Sequence, residues 1–305
     1  MYDTIRAYYQ GELAELELMP NKERFVKNVD AAGELKGYKA QFKNVKIYLN
    51  FSHRISFEGS LSRFAFGENF STMTRAKAEE AVLEICKFCG IPPELWKVTR
   101  LDISTILPAT TKIEVLQNVL GCISPQIKRW TAGKSGIYWA NQQRQLVLYD
   151  KALWAKETKT DLPEILKEGG WIRAELRLQK NIPTQTKSKA ILSLLYNEDF
   201  YLRVCKLWQQ HFLSIKKQSG CIFHKQTQKQ REALGQFIAM LHSNDREAFE
   251  RRFEQASSNC RKAQERSRFR NVVKKYVEKY NEPDEKTDAI YDTFQRQIKC
   301  SIASH

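Results

Sequence analysis

The sequence predicts an α+β fold in which an antiparallel β-sheet carries helices on one face and is followed by an all-helical C-terminal region. Up to residue 178 the chain is dominated by short segments in which apolar and polar residues alternate, as in strands with one buried face. After Pro183 the apolar residues recur at helical spacing. We therefore expect two domains in the 305 residues, 1–182 and 183–305, joined where residues 181–188 have linker character.

The strands are predicted from alternation and from the turn residues that end each run. Segment 98–106 places Leu101 and Ile103 on one face and Asp102 on the other, and segment 171–178 alternates without a break. The predicted strands are 2–9, 38–42, 45–51, 54–58, 61–66, 98–106, 136–140, 144–151 and 171–178, and residues 141–143 join two of them into a hairpin.

The helices are predicted from apolar spacing between capping residues. Thr74 is suited to the start of a helix and Gly90 to its end, with two prolines just beyond. The other predicted helices are 111–120, 162–167, 187–196, 198–217, 226–241, 244–257 and 258–280.

Composition favours a globular protein with a polyanionic partner. Hydrophobic residues make up 42% of the chain and aromatic residues 11%, which is too apolar for a disordered chain. The net charge of +15 favours nucleic acid first and an acidic membrane surface second. The sequence has neither a run of 18 apolar residues nor a secretion signal, so we expect no membrane span and a cytoplasmic location.

Cysteine and histidine form no strong metal motif in this sequence. The seven cysteines are odd in number and scattered, which indicates reduced thiols. The lone Cys86-Lys-Phe-Cys89 lies in a helical pattern without a second pair nearby, and no His-x-His pair occurs among the five histidines. A metal in this protein would therefore be held mainly by carboxylates.

Three acids stand on the polar faces of otherwise apolar strands, namely Glu58, Asp102 and Glu175. Carboxylate oxygens are the ligands of Mg²⁺ or Mn²⁺, so these acids are the candidate metal ligands. Arg173 and Arg177 flank Glu175 on the same strand face and are candidates to neutralise charge that develops on a phosphate. The alternative is a solvated sheet face with cross-strand ion pairs.

Tyr149 and Lys151 end the predicted strand 144–151, where alternate residues share a face. A tyrosine hydroxyl beside an ammonium group is a plausible nucleophile for a phosphodiester, because the cation lowers the cost of the phenolate. The alternative is a core strand that ends at the surface in a tyrosine and a solvated lysine.

Two basic segments are candidate DNA contacts. The first is a predicted loop with an embedded aromatic residue, which suits single-stranded nucleic acid; the alternative is an ordinary basic surface loop. The second is the helix from residue 258, which either follows a DNA backbone or is a solvated face. The predicted DNA-binding residues are Arg100, Lys128, Arg129, Trp130, Lys134, Arg266, Arg268, Arg270, Lys274 and Lys275.

Four segments, in this order and spacing, resemble the replication initiators of filamentous phages and related plasmids, the phage replication protein II/X family. They are Phe57-Glu-Gly-Ser60 with Phe66-Gly-Glu-Asn69, Arg100-Leu-Asp-Ile103, Tyr138-Trp139 with Leu146-Val-Leu-Tyr-Asp-Lys151, and Ile172-Arg-Ala-Glu-Leu-Arg177. The resemblance covers residues 1–180 well. In the remainder it extends only to the helical character of the chain.

The resemblance implies a Rep endonuclease-like fold and an enzyme of rolling-circle replication. Such an enzyme would nick one strand at an origin, keep the 5′ phosphate on Tyr149, leave a 3′-OH primer and later rejoin the displaced strand. Lys151, Arg173 and Arg177 would assist, and Mg²⁺ or Mn²⁺ would be held without the His-hydrophobic-His motif of many such initiators. His53 is a weak further ligand and Tyr138 a candidate for a second transfer step.

The implied partners are phage or plasmid origin DNA and a host helicase and polymerase in the bacterial cytoplasm. Two other functions compete with this one. A tyrosine recombinase is disfavoured because Tyr149 lies mid-chain on a predicted strand among acids. A non-catalytic DNA-binding regulator would explain the charge and the helical region but not the acids on the strand faces.

Overall fold

A ten-stranded sheet in which every neighbouring pair is antiparallel forms the centre of the protein. The computed structural model describes residues 1–133, 135–159, 162–164, 170–217 and 285–301. The strand order is β2-β3-β4-β5-β1-β6-β10-β9-β8-β7. The strands are β1 (Tyr2–Gln10), β2 (Val26–Val29), β3 (Leu35–Phe42), β4 (Val45–Asn50), β5 (Arg54–Ser60), β6 (Lys97–Pro108), β7 (Lys128–Ala132), β8 (Gly136–Ala140), β9 (Arg144–Asp150) and β10 (Trp171–Leu178).

Helices cover one face of this sheet, and the large hydrophobic core lies between the two layers. Trp96, Trp139 and Trp208 are fully buried there. The described helices are α1 (Leu61–Phe66), α2 (Arg75–Cys89), α3 (Ile113–Val119), α4 (Lys151–Thr158), α5 (Ile182–Thr186), α6 (Glu198–Leu213) and α7 (Glu285–Cys300). The predicted α+β fold, with a helical region after the sheet, is confirmed.

The helices that follow the sheet in sequence pack on the same core. Trp208 of α6 donates a hydrogen bond from Nε1 to the carbonyl oxygen of Ala174 in β10, at 3.2 Å. Phe294 and Ile298 of α7 are buried in that core as well. The boundary at 182/183 stays a prediction. The predicted helices 226–241, 244–257 and 258–280 lie outside the described residues, as does most of 162–167.

The opposite face of the sheet, which we call the open face, carries the side chains of Glu58, Asp102, Glu175, Tyr149 and Trp130. Helix α4 covers one end of it. A small second core forms there, made of Ala155, Leu162, Phe70, Ile106, Ala152, Trp154 and Trp171. Helix α4 and this second core therefore cover the open face at one end.

Residues 61–66 form helix α1, so the strand prediction for them is wrong. The Ser60 hydroxyl accepts a hydrogen bond from the backbone N–H of Arg63, and Gly67 ends the helix with a φ of 77°. A serine cap and a left-handed glycine thus enclose one helical turn whose apolar residues also fit strand spacing. Helix α2 begins after Thr74 and ends before Gly90, as predicted.

Two predictions next to the candidate site are also wrong in their local structure. Residues 128–132 are not a loop, because they pair with β8 as strand β7; Lys134 lies outside the described residues. Lys151 is not the end of a strand but the first residue of α4. The Asp150 carboxylate accepts hydrogen bonds from the N–H groups of Ala152 and Leu153, so it ends β9 and starts the helix.

Four further elements differ from the sequence prediction. Segment 187–196 contains only a 3₁₀ turn, Leu192–Tyr196, while the predicted linker contains α5. Strand β2 and helix α4 were not predicted. In the described part of the chain no helix combines the length and the apolar character needed to span a membrane.

Candidate active site

Strand register brings the predicted catalytic residues together on the open face. Directly opposed residues of antiparallel strands point to the same face. Arg173 of β10 is opposite Tyr149 of β9, and Arg177 is opposite Asp102 of β6. Glu175 lies between the two arginines on the same face of β10. The centre of the sheet therefore carries a nucleophile candidate, two arginines and two acids on adjacent strands.

Each acid of this cluster is paired with an arginine. The Arg100 guanidinium donates to both Asp102 oxygens, at 3.0 and 2.7 Å, and to Glu58 Oε1 at 3.1 Å. Arg6 donates to the other Glu58 oxygen at 2.5 Å. Glu58 is thus separated from Asp102 by a guanidinium, while Arg177 donates to Glu175 at 3.0 Å.

Asp102 and Glu175 form a diagonal pair of buried carboxylates, because Glu175 is opposite Ser104, two residues from Asp102. Their side chains are 0% and 4% exposed. Burial raises the pKa of Asp102 to about 7, against the pull of Arg100 and with a contribution from Glu175. Low solvation and a neighbouring negative charge both favour the neutral form of Asp102, and a bound cation would favour the ionised form instead.

Arg173 is a fixed charge beneath Tyr149. It forms a buried ion pair with Asp3 and donates to the backbone carbonyl of Asn69 and, at 2.8 Å, to Ser104 Oγ. Burial opposes its charge, but the groups around it, Asp3 first and then Tyr149 and Glu175, together keep its pKa above the ordinary value. The arginine therefore stays charged where it faces the tyrosine.

Lys151 is fully buried in an aromatic cage. Its Nζ lies 4.1 Å from the ring centre of Trp154, 4.6 Å from that of Phe70 and 5.8 Å from that of Tyr149. It also donates a hydrogen bond to Asn69 Oδ1 at 3.1 Å. The lysine and the tyrosine therefore remain neighbours although they lie on different elements.

Burial shifts the protonation equilibria of both Tyr149 and Lys151 towards their neutral forms. Burial raises the pKa of the Tyr149 hydroxyl well above its usual value, although Arg173 lowers it. Burial, and then the charge of Arg173, lowers the pKa of Lys151 to about 7. Near neutral pH the amine of Lys151 can therefore be neutral, which is the form in which it can accept a proton, while it lies against the ring of a neutral phenol.

The three predicted metal ligands do not form one group. Among the described residues, no three His, Cys, Asp or Glu side chains are placed to hold a metal ion together. Asp102 and Glu175 alone fit a hard cation that takes one or two protein carboxylates and completes its shell with water and phosphate oxygens. His53 is paired with Glu15 at 3.3 Å, outside the cluster.

The family model of the N-terminal region of the phage replication-associated protein, the gene II protein, matches residues 15–210, which is more than half of the chain. The chain belongs to the gene II family of replication-associated proteins. The resemblance to filamentous-phage replication initiators is thereby confirmed. No curated protein matches the chain. The matched segment of this gene II-family protein contains the whole cluster except Asp3 and Arg6.

The predicted DNA-binding residues of the gene II-family protein do not share one surface. Lys128 and Trp130 are exposed on the open face, whereas Arg129 points away and donates to the carbonyl oxygen of Gln117. Arg100 is engaged with Glu58 and Asp102. Their roles stay predictions, as do those of Lys134, Arg266, Arg268, Arg270, Lys274 and Lys275, which lie outside the described residues.

Sequence reasoning did not find several members of the cluster. Asp3 reaches Arg173 because the β1–β6 ladder shifts register between Tyr2 and Ile5, which alternation alone does not reveal. Alternation could have revealed Arg6, because its neighbours Ile5 and Ala7 face the core; the strand pairing then places it opposite Glu58 and Arg100. Asn69, Phe70 and Trp154 lie in a turn and in a helix, where no sequence pattern pointed to Lys151.

Proposed function

We propose that this gene II-family protein nicks one strand of a phage or plasmid origin through Tyr149 and later rejoins the displaced strand. One observation carries the proposal. Tyr149 lies opposite the fixed cation Arg173 of β10, which also carries Glu175, and Asp102 of the buried pair lies on β6, the strand beyond. A nucleophile, a charge stabiliser and a cation site on adjacent strands suit attack on a phosphodiester.

In the nicking step the Tyr149 oxygen attacks the scissile phosphorus and forms an O–P bond as the bond to the 3′ oxygen breaks. The hydroxyl proton passes to the neutral amine of Lys151, and the leaving 3′ oxygen takes a proton from water to become the 3′-OH primer. Arg173 favours the developing phenolate, and Arg177, which is 28% exposed, is the guanidinium that reaches a phosphate oxygen.

Mg²⁺ or Mn²⁺ held by Asp102 and Glu175 would polarise the scissile phosphate when bound. The protein residues around this pair shield it from water, and each of the two carboxylates also binds an arginine. Arg100 has to share Asp102 with the cation, and Glu58 offers that arginine a second partner at 3.1 Å. Glu58 thus acts as a positioning residue for Arg100 in this scheme.

Rejoining is the reverse reaction. A new 3′-OH loses its proton to water as its oxygen attacks the phosphorus of the phosphotyrosine, the Tyr149–phosphate bond breaks, and the phenol regains its proton from Lys151. Between the two steps a host helicase would unwind the duplex and a host polymerase would extend the primer, in the cytoplasm of the bacterial host.

The test is incubation of the purified protein with supercoiled DNA of its own replicon, with Mg²⁺ or with EDTA. The proposal predicts open circles that carry covalently bound protein only with the metal, and none with Tyr149→Phe. The matched control is Tyr138→Phe, which keeps an aromatic ring on the next strand. Nicking in EDTA would contradict the metal role, and normal nicking by Tyr149→Phe would contradict the nucleophile.

A non-catalytic origin-binding protein is the second candidate. The observation in its favour is the pairing of all three acids with arginines, which satisfies their charge without a metal. This function predicts origin binding with no covalent adduct under any metal, and equal origin binding by wild type and Tyr149→Phe.

A further inference from the structure

Trp130 and Tyr138 form a stacked aromatic pair on the open face. They are directly opposed on β7 and β8, with ring centres 5.3 Å apart and planes 10° apart. Trp130 is 42% exposed on the outermost strand, whereas Tyr138 is half-buried. The strand pairing and the stack hold the indole in place while one of its faces remains open to solvent.

Small residues stand on β7 and β8 beside Tyr149. Gly136 stands directly opposite Tyr149, and Ala132 stands opposite Gly136 on the outer strand. A Cβ atom on Gly136 would lie 3.2 Å from Tyr149 Cβ and 3.4 Å from the Tyr138 ring. Among the described residues, only Gly136 and Ala132 stand at these positions between Trp130 and Tyr149. The strands that carry Trp130 and Tyr149 are about 10 Å apart.

The charge next to the pair suits a nucleic-acid backbone. Lys128 is exposed on the same strand and the same face as Trp130, two residues away. An exposed indole beside an ammonium group is the combination on which an unpaired base stacks while the adjacent phosphate meets the cation. A paired duplex cannot use this surface in the same way, because its bases are already stacked on one another.

We propose that the Trp130–Tyr138 pair is a stacking platform for an unpaired base of the strand that Tyr149 cleaves. The ligand class is single-stranded DNA, bound across β7 and β8 towards the nucleophile. The assignment of the cleaved strand rests on the proposed function, whereas the binding of unpaired bases rests on the geometry of the pair alone.

The test is the affinity for a labelled oligodeoxythymidine and for a duplex of equal length, measured by fluorescence anisotropy in EDTA so that nothing is cleaved. Trp130→Ala should weaken single-strand binding by about 5- to 150-fold, since a stacked base contributes about 1–3 kcal/mol. Trp130→Phe should restore most of the affinity. Duplex binding should change by less than about twofold.

Phe51→Ala is the matched control, because Phe51 is 59% exposed but lies in a turn away from the open face. An unchanged single-strand affinity of Trp130→Ala, or an equal loss for duplex, would overturn the platform. If Trp130→Ala does not fold, photo-crosslinking of a bromodeoxyuridine oligonucleotide to wild type decides the matter. Crosslinks within tryptic peptides 130–134 or 135–144 support the platform, and crosslinks only elsewhere contradict it.

The two proposals fail in different ways. Tyr149→Phe should bind the oligonucleotide as wild type does, because the phenol oxygen is not part of the platform. Nicking by Tyr149→Phe would contradict the nucleophile and leave the platform intact. Normal single-strand binding by Trp130→Ala would contradict the platform and leave the nucleophile intact.

Discussion

The ion pair between Asp3 and Arg173 positions the charge that faces Tyr149. Both side chains are buried, at 8% and 3% exposure, and Asp3 also accepts a hydrogen bond from Ser60 Oγ at 2.7 Å. A buried cation whose partner is removed has no water to replace it. The pair therefore links the stability of the first strand to the geometry of the site.

Asp3→Ala should lower the free energy of unfolding by about 3–5 kcal/mol, because it leaves Arg173 buried without its carboxylate. Urea denaturation of the whole chain measures this loss. The matched control is Asp30→Ala, which removes a solvent-screened pair with Lys36 at the surface and should cost far less stability. Equal stability of Asp3→Ala and wild type would show that Arg173 does not depend on Asp3.

We expect the protonation state of Lys151 to control the nicking rate. Its pKa is lowered to about 7 by burial first and by Arg173 next, while Asp3, Glu175 and Glu68 raise it in part. The amine is free to accept a proton above that pH and is blocked below it. Asp102 ionises in the same range, so a substitution is needed to separate the two groups.

The wild-type nicking rate should rise with pH through about 7 and then level off. Lys151→Arg keeps the positive charge but cannot accept a proton, so we expect a rate at least about 100-fold lower across the range. Initial nicking rates at a series of pH values, with metal and DNA saturating, measure this. A Lys151→Arg profile that matches wild type in height and shape would rule out the base.

At the scale of elements, the junction of β9 and α4 positions the site. Asp150 ends the strand that carries Tyr149 and caps the helix that carries Lys151 and Trp154. A single side chain thus fixes where the nucleophile's strand stops and where the wall of the open face begins.

Asp150→Ala should lower the free energy of unfolding by about 1 kcal/mol, the usual cost of a lost helix cap. Asp150→Ser keeps a capping oxygen and should retain most of that stability. Chemical denaturation of the two variants and wild type makes the comparison. A loss as large in Asp150→Ser as in Asp150→Ala would mean that the carboxylate charge, and not the cap, is what matters.

Much of this element-scale arrangement could be predicted from sequence. The period of two in β6 and β10 places Asp102 and Glu175 on the strand faces that point away from the core. Residues 61–66 were mistaken for a strand because six residues are too few to separate the two periods. Lys151 was misplaced because the strand pattern does not show that Asp150 turns back to cap a helix.

The pairing register of the ten strands could not be predicted from the sequence. Alternation places Arg100, Asp102 and Glu58 on one face but does not say that one guanidinium bridges the two acids. That outcome depends on the order of β5, β1, β6 and β10 across the sheet. Likewise, the exposed aromatic residue Trp130 was recognised as a candidate DNA contact, but its stack on Tyr138 required the pairing of β7 with β8.

At the scale of the whole molecule, α6 and α7 hold the sheet from the side opposite the open face. His211 of α6 is largely buried near Arg144, and burial, then the charge of that arginine, lowers its pKa to about 4. The folded protein therefore holds this histidine neutral. Its contribution to stability is fully present above the unfolded pKa of about 6.5 and is lost as the pH falls towards 4.

Between pH 7 and pH 5, protonation of His211 in the unfolded chain alone should remove about 2 kcal/mol of stability from wild type. His211→Gln cannot titrate and should be spared that loss, so its stability should fall less over the same interval. Urea denaturation at the two pH values measures the difference. Parallel losses in the two proteins would show that His211 is not responsible.

The open face runs from Trp130 at one edge of the sheet, through the acid–arginine cluster, to Lys46 and Tyr48 near the other edge. The most direct test of its proposed role is the identity of the residue that becomes covalently attached to DNA. After nicking in Mg²⁺, nuclease digestion and mass spectrometry of the tryptic peptides should find the nucleotide on Tyr149, in peptide 145–151. A nucleotide on Tyr138 or on another residue, or nicked DNA with no modified peptide, would contradict the account.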